Sequence, residues 1–376
     1  MYLDNNATTR ACGEAVRAAR RVMEESWGNP SSVHRMGQMA RREVELARGA
    51  VAELLGAHAR EVVFTSGGTE SIDLAVRGSV GASGKRVVVT TRVEHEAVRG
   101  LAEEMEKREG VEVRWLEVGR DGVVDVEQAR GVIDGDVGVV SVQWANNETG
   151  VVQPVREIGE VCRERGVMFH CDGTQWVGKM PARVEELGAD LLTVSAHKFH
   201  GLKGCGALWV KRGVGVRARL VGVQELERRG GTENVVGIAA MGEAARVARE
   251  WLGDAGERER LRAMRDGFER AVLEGVRGAV VNGKGAERLW NTTNIGFRGV
   301  EGEALLLMMS ERGVCASAGA ACSSGSLEPS PVLLAMGVEE EVAHGSVRFS
   351  LSRETTEEEL GEAVGVVVEC ARRLGA

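Results

Sequence analysis

The sequence predicts an α/β fold, with a large domain built on a mostly parallel sheet and a smaller α+β domain after it. Three observations predict this. Short apolar runs recur at 62–65, 86–91, 111–116, 137–144, 167–171, 189–194 and 206–210. They are continuous rather than alternating, as in strands buried on both faces. Helical stretches separate them, and strand–helix alternation favours a parallel sheet covered by helices. After about residue 236 the pattern changes to a long charged helical stretch ending near 275. Shorter strands follow at 278–282, 292–297 and 346–351, with helices near 302–312 and 355–374.

Ahead of the first strand, 11–26 and 34–56 read as helices. The second carries Met39, Val44, Ala47, Val51, Leu54 and Leu55 at helical spacing and ends at Gly56. A chain of 376 residues with 43% hydrophobic and 28% charged residues can build a real core under a soluble surface. A net charge of −8 argues against bulk binding to nucleic acid or anionic membranes. Met1–Asn6 lacks a basic-then-apolar leader, and no run approaches the roughly 18 apolar residues of a membrane span, so a cytoplasmic protein is expected. The seven cysteines are odd in number and form no CxxC pair. Neither a disulfide framework nor a structural zinc site is expected, and most should be small buried hydrophobes.

Lys198 is one of only 7 lysines among 41 arginines. It sits in Ser195-Ala196-His197-Lys198, directly after an apolar run, and is expected to be the sole lysine at that sheet edge. The run Val167–Cys171 ends in Asp172. A lysine and an aspartate at two strand ends suit pyridoxal phosphate, the lysine as covalent anchor and the carboxylate facing the ring nitrogen. Ser66-Gly67-Gly68-Thr69-Glu70 follows the first strand and opens a helix. Such a turn presents backbone N–H groups and a helix dipole to a phosphate, with the Thr69 hydroxyl beside them; read alone, a glycine turn with an N-cap is the favoured reading. Ser195 and His197 can reach the same phosphate. Gln175, and Asn147 after the strand at 137–144, can reach the ring oxygen, while His95 in Glu94-His95-Glu96 can stack on the ring. Asn146 and Asn147 as turn formers, and Glu94–Glu96 as a solvated helix start, are the plain alternatives. The shared location after strand carboxyl ends favours a ligand site.

Cys322 lies among small residues, Ser317–Ser326, which cannot pack a core. An exposed loop with a thiol available for chemistry is expected there. Cys315 is expected to pack. In Ser346–Ser350, Val347 and Phe349 share one face and Arg348 takes the other. Its planar fork suits a substrate carboxylate; a surface arginine is the alternative.

With these residues in view, the chain resembles the cysteine desulfurases of the NifS/IscS group. The resemblance is nearly end to end. It runs through Tyr2–Thr9, Gly28–His34, Phe64–Ser71, Ala145–Gly150, Phe169–Asp172, Ser195–Lys198, Gly231–Asn234, Cys322–Ser330 and Arg348–Arg353. The cysteine loop resembles the long-loop group, and Trp144–Thr149 with Ala343-His344-Gly345 leans toward the nitrogenase-associated branch. Ala318 and Ala320 stand where the family usually has serines, Gly173 where it has alanine, and Val221–Glu225 where it has a glycine-rich segment.

The resemblance implies a fold-type-I pyridoxal-phosphate enzyme. Its large cofactor-binding domain would span 14–250, and a small domain of 1–13 with 251–376 would carry the reactive-cysteine loop. It implies pyridoxal 5'-phosphate on Lys198, with Asp172 at the ring nitrogen and Asn147 and Gln175 at the phenolic oxygen. Gly68, Thr69, Ser195 and His197 would hold the phosphate, with Thr232 reaching in from the other subunit of a homodimer. Arg348, with Asn147, would bind the substrate, His95 would move protons, and Cys322 would take the sulfur of L-cysteine as a persulfide, leaving alanine. A scaffold protein of NifU/IscU type or another acceptor would receive the sulfur. A selenocysteine lyase or class V aminotransferase of the same fold is the near alternative. A non-enzymatic iron–sulfur scaffold needs three or four clustered ligands, which Cys315 and Cys322 do not supply; a transient cluster on Cys322 stays open.

Overall fold

The computed structural model describes residues 1–319 and 328–375. Cys322 and most of its small-residue stretch lie outside the described residues. Among those described, a seven-stranded sheet contains β1 (Val62–Thr65), β2 (Val87–Thr91), β3 (Glu112–Leu116), β4 (Val137–Gln143), β5 (Met168–Asp172), β6 (Leu191–Ser195) and β7 (Gly206–Val210). Their order is β1-β7-β6-β5-β4-β2-β3. β6, β5, β4, β2 and β3 pair in parallel, and β7 is antiparallel to both β6 and β1. Strands β1 to β6 therefore all point one way. Every residue of β4 is buried, as the continuous apolar run requires. β3 closes one edge and carries charge there, with Arg114 paired to Glu112 and Asp134.

Helices Gly13–Glu25, Arg35–Leu55 and Val235–Leu252 pack together over one face. Gly242 permits the close approach: a Cβ there would stand 2.6 Å from Ala47 Cα. The continuous charged helix expected up to about 275 is in fact two, Val235–Leu252 and Ala255–Gly275. Asp254 ends the continuity by accepting from the N–H groups of Gly256 (2.8 Å) and Glu257 (3.4 Å). Charged residues on both sides hide that cap in the sequence.

The second sheet is antiparallel, with β8 (Val280–Val281), β9 (Thr292–Gly296) and β10 (Ser346–Ser350) in the order β10-β9-β8. Ile295, Val347 and Phe349 join Leu261, Phe268 and Val367 in a core separate from that of the large sheet. Leu3 belongs to this second core, whereas Cys12 belongs to the first. The amino-terminal segment thus crosses from one core to the other, bridging Asp4 to Ser350 on the way.

Residues 221–231, where the family pattern changes, hold an unusual backbone. Glu225, Leu226 and Glu227 have φ of 51°, 57° and 63°, three successive left-handed residues without a glycine. Left-handed backbone costs such residues roughly 1–2 kcal/mol each. The segment is fastened by Arg48, whose guanidinium pairs with both oxygens of Glu225 at 2.7 and 2.8 Å and donates to Val62 O at 2.8 Å. Glu225 also accepts from the Phe64 N–H at 2.8 Å. The two side chains are only 11% and 2% exposed. Arg48→Leu leaves the Glu225 charge buried and unpaired, so unfolding in urea should show a loss of about 3–5 kcal/mol. A change below about 1 kcal/mol would show that the pair does not hold the turn.

Candidate active site

The carboxyl ends of β1, β2, β4, β5 and β6 open on one edge of the large sheet. Lys198 closes a short 3-10 turn, Ala196–Lys198, directly after β6. Its Nζ donates to Asn6 O at 2.6 Å and Ala7 O at 2.9 Å. Asp172 is the last residue of β5 and only 5% exposed; its Oδ1 accepts from the Thr174 N–H at 3.0 Å. His95 follows β2 and caps helix Glu96–Glu109, its Nδ1 accepting from the Ala97 N–H at 3.1 Å. That bond leaves the ring proton on Nε2. Burial lowers the His95 pKa; the Asp172 charge opposes this and the Lys198 charge adds to it. The three residues therefore lie close enough to act on one another electrostatically.

The candidate phosphate cradle lies at the start of helix Gly68–Ser83. Gly67 has φ 155° and ψ −174°, a conformation essentially confined to glycine. A Cβ on Gly68 would meet Thr174 Oγ1 at 3.3 Å and Ser195 Cβ at 3.7 Å, so the ends of β1, β5 and β6 converge on a narrow space. Thr69 is exposed at the second helical position. His197 lies half-buried with Nδ1 3.1 Å from Thr8 Oγ1, and burial, then the Lys198 charge, pushes its pKa down to about 4.

Asn147 is buried after β4, and its Oδ1 has no hydrogen-bond partner. The turn-forming role belongs to its neighbour: Asn146 Oδ1 accepts from the N–H groups of Glu148 and Thr149. Gln175 is buried, with Nε2 donating to Asn6 O at 3.0 Å and Oε1 accepting from Lys179 Nζ at 2.5 Å. Arg348 is not a surface arginine, being 1% exposed. Val347 and Phe349 point into the second core as expected, while Arg348 donates to Asp4 Oδ1 (2.6 Å) and Asn147 O (3.1 Å), with Nε unpartnered. Thr232 is exposed ahead of helix Val235–Leu252, and no side-chain hydrogen bond ties it to this cluster among the described residues. Cys322 lies outside them. Cys315, expected to pack, is exposed: its backbone bridges to Tyr2 at the edge of the second core, which leaves the thiol outside.

Four contributors escaped the sequence reading. Lys179, 5% exposed, is a second lysine at this edge, so Lys198 is not the sole one. Its Nζ donates to Asn6 Oδ1 and Gln175 Oε1, and burial, with Lys198 and Arg348 adding repulsion, depresses its pKa well below the ordinary lysine value. Its signal was a lysine inside the apolar stretch Trp176–Met180. Asn6 joins Lys198, Gln175, Lys179 and Asn147. Glu94 is buried with Oε2 unpartnered, and burial, with the Asp172 charge adding to it, raises its pKa to about 8. Thr174 Oγ1 is likewise enclosed without a partner.

These residues fit a pyridoxal phosphate. The orphaned Asn147 Oδ1 and Thr174 Oγ1, beside the gap at Gly68, offer hydrogen-bonding atoms that the protein leaves unused, and buried polar groups seldom stay unpaired. Among the described residues no cluster of three His, Cys, Asp or Glu side chains is set to hold a metal ion, and no helix is long and apolar enough to cross a membrane.

A lysine and an aspartate at neighbouring strand ends beside a glycine cradle define a fold-type-I architecture. The chain belongs to the aminotransferase class-V family, whose model matches residues 1–362. It is 45% identical over 378 residues to "Cysteine desulfurase 2" of Trichormus variabilis, covering all of this chain and 94% of the relative. It is 41% identical to "Cysteine desulfurase IscS" of Methanosarcina thermophila, covering 100% and 92%. Among solved structures, a "NifS-like protein" superposes with a TM-score of 0.90 at 32% identity, covering 98% of both chains. The "NifS-like protein" of Rickettsia africae does so with 0.88 at 28% identity, covering 98% of this chain and 99% of that one.

Burial depresses the pKa values of His170, His197 and His200 from 6.5 to about 4. His170 is fully enclosed between Ser141 Oγ and Thr193 Oγ1, both at 2.8 Å. Between those pH values the unfolded chain takes up protons that the folded chain refuses, so stability should fall as pH drops from 6.5 toward 4. Urea midpoints across that range should show a shallower slope for His170→Gln than for the parent. Equal slopes would show that His170 does not titrate as its burial demands.

Proposed function

We propose that this chain is a cysteine desulfurase that converts L-cysteine to L-alanine and takes the sulfur onto Cys322 as a persulfide. One observation carries the reading: His95, Asp172, Lys198 and the Gly68–Ser195 cradle meet at one buried sheet edge. They do so in a chain resembling proteins of that name along its whole length. The cofactor in this reading is pyridoxal phosphate. Lys198 would anchor it, Asp172 would hold the ring nitrogen, and Asn147 and Gln175 would serve the phenolic oxygen. Gly68, Thr69, Ser195 and His197 hold the phosphate, with Thr232 supplied by the second copy of a homodimer. When bound, this group supplies an electron sink that makes the substrate α-proton removable and the Cβ–S bond cleavable.

The chain's own residues do the rest. The Asp172 carboxylate, fixed by the Thr174 N–H, favours a positive charge opposite it. Lys198 Nζ takes the α-proton once released from its anchoring role, and the Asn6 and Ala7 carbonyls orient it. His95 stays neutral, because burial and the Ala97 N–H on Nδ1 both oppose imidazolium, and it presents Nε2–H as a donor. Arg348, already paired with Asp4, offers its unpartnered Nε to the substrate carboxylate. The Cys322 thiolate forms the S–S bond while the Cβ–S bond breaks; the bonding pair stays with carbon, which is then protonated to the methyl group of alanine.

The persulfide sulfur passes to a NifU- or IscU-type scaffold or another thiol acceptor, in the cytoplasm, where thiols stay reduced. Purified protein given L-cysteine and a thiol reductant should yield alanine and sulfide in equal amounts; a keto acid instead would point to an aminotransferase. Cys322→Ala should keep the visible cofactor band and make no persulfide. Lys198→Ala should lose the anchored cofactor's spectrum and about 10²–10⁴ of the turnover. A normal spectrum in that variant would remove Lys198 from its role.

A further inference from the structure

We infer that Thr174 is a further positioning residue, its hydroxyl donating to the phosphate group of the cofactor; this rests on pyridoxal phosphate being the cofactor. Thr174 lies two residues beyond Asp172, and its backbone N–H already holds that carboxylate at 3.0 Å. Its Oγ1 is sealed inside the protein and has no hydrogen-bond partner. An enclosed hydroxyl of this kind is costly to leave unmatched. It does not bond back to a preceding carbonyl, the usual local outlet for a threonine.

The position of the hydroxyl identifies its partner. The space that a Cβ on Gly68 would occupy is bordered by Thr174 Oγ1 at 3.3 Å, Ser195 Cβ at 3.7 Å and Thr193 Cγ2 at 3.8 Å. Thr174 Oγ1 is the nearest of these atoms and the polar one. The space lies at the first turn of the 16-residue helix Gly68–Ser83, whose unpaired N–H groups and dipole favour an anion. The segment from Asp172 to Thr174 therefore serves both ends of one ligand, the carboxylate toward the ring nitrogen and the hydroxyl toward the phosphate. A hydroxyl donating to a charged oxygen makes one of the stronger neutral-donor bonds.

The test titrates the full chain, freed of cofactor, with pyridoxal phosphate and separately with pyridoxal, which lacks the phosphate, following the absorption band. Thr174→Val removes the hydroxyl at nearly constant shape. It should weaken pyridoxal phosphate about 10- to 100-fold and leave pyridoxal unchanged, and Thr174→Ser should restore the parent affinity to within about threefold. An unchanged affinity for pyridoxal phosphate in Thr174→Val, or an equal loss for both ligands, overturns the assignment. A parent protein that binds neither ligand overturns the cofactor reading itself and this inference with it.

Discussion

Asn6 holds the candidate site together. Its carbonyl receives Lys198 and Gln175, its Oδ1 receives Lys179 and Asn291, and its Nδ2 reaches Asn147 O and Thr292 Oγ1. Those partners come from the large sheet's carboxyl edge and from the second, antiparallel sheet. A short amino-terminal strap therefore fixes the gap between the two cores, with Asp4 adding the ion pair to Arg348. Every donor and acceptor on Asn6 is used, so the strap cannot shift without leaving buried polar atoms unpaired.

That constraint sits in a crowded electrostatic setting. Lys179, Lys198 and Arg348 bring positive charge to the same edge as Asp4, Asp172, Glu94 and Glu148. Burial works against charge on both sides: it depresses Lys179 and raises Glu94 and Glu148, the last softened by the Ser330 hydroxyl 2.6 Å from its Oε2. Low dielectric makes each surviving charge act strongly on its neighbours. A site of this kind can stabilise developing charge without reorganising water, which is the general advantage of a prebuilt polar pocket.

Much of this was written locally. The strands were legible because fully buried strands need continuous apolar runs, and Asp172, His95, Asn147 and Lys198 stood where such runs end. Gly67 was legible because the tight turn into the helix demands a glycine there. Arg348 was legible by alternation with Val347 and Phe349, although its near-complete burial was not. The break at Asp254 escaped notice because periodicity and charge look alike on both sides of a single capping residue.

The sequence by itself determined the element types, the strand ends and the identity of the groups placed on them, since these follow from residues within one helical turn or one strand. Only the tertiary structure decided that β7 runs against its neighbours, that Cys315 faces outward, and that Asn6, Lys179, Glu94 and Thr174 belong to the site. Each of those facts depends on residues far apart in the chain meeting in space. Hydrogen bonds and burial across such separations leave no periodic trace in the sequence.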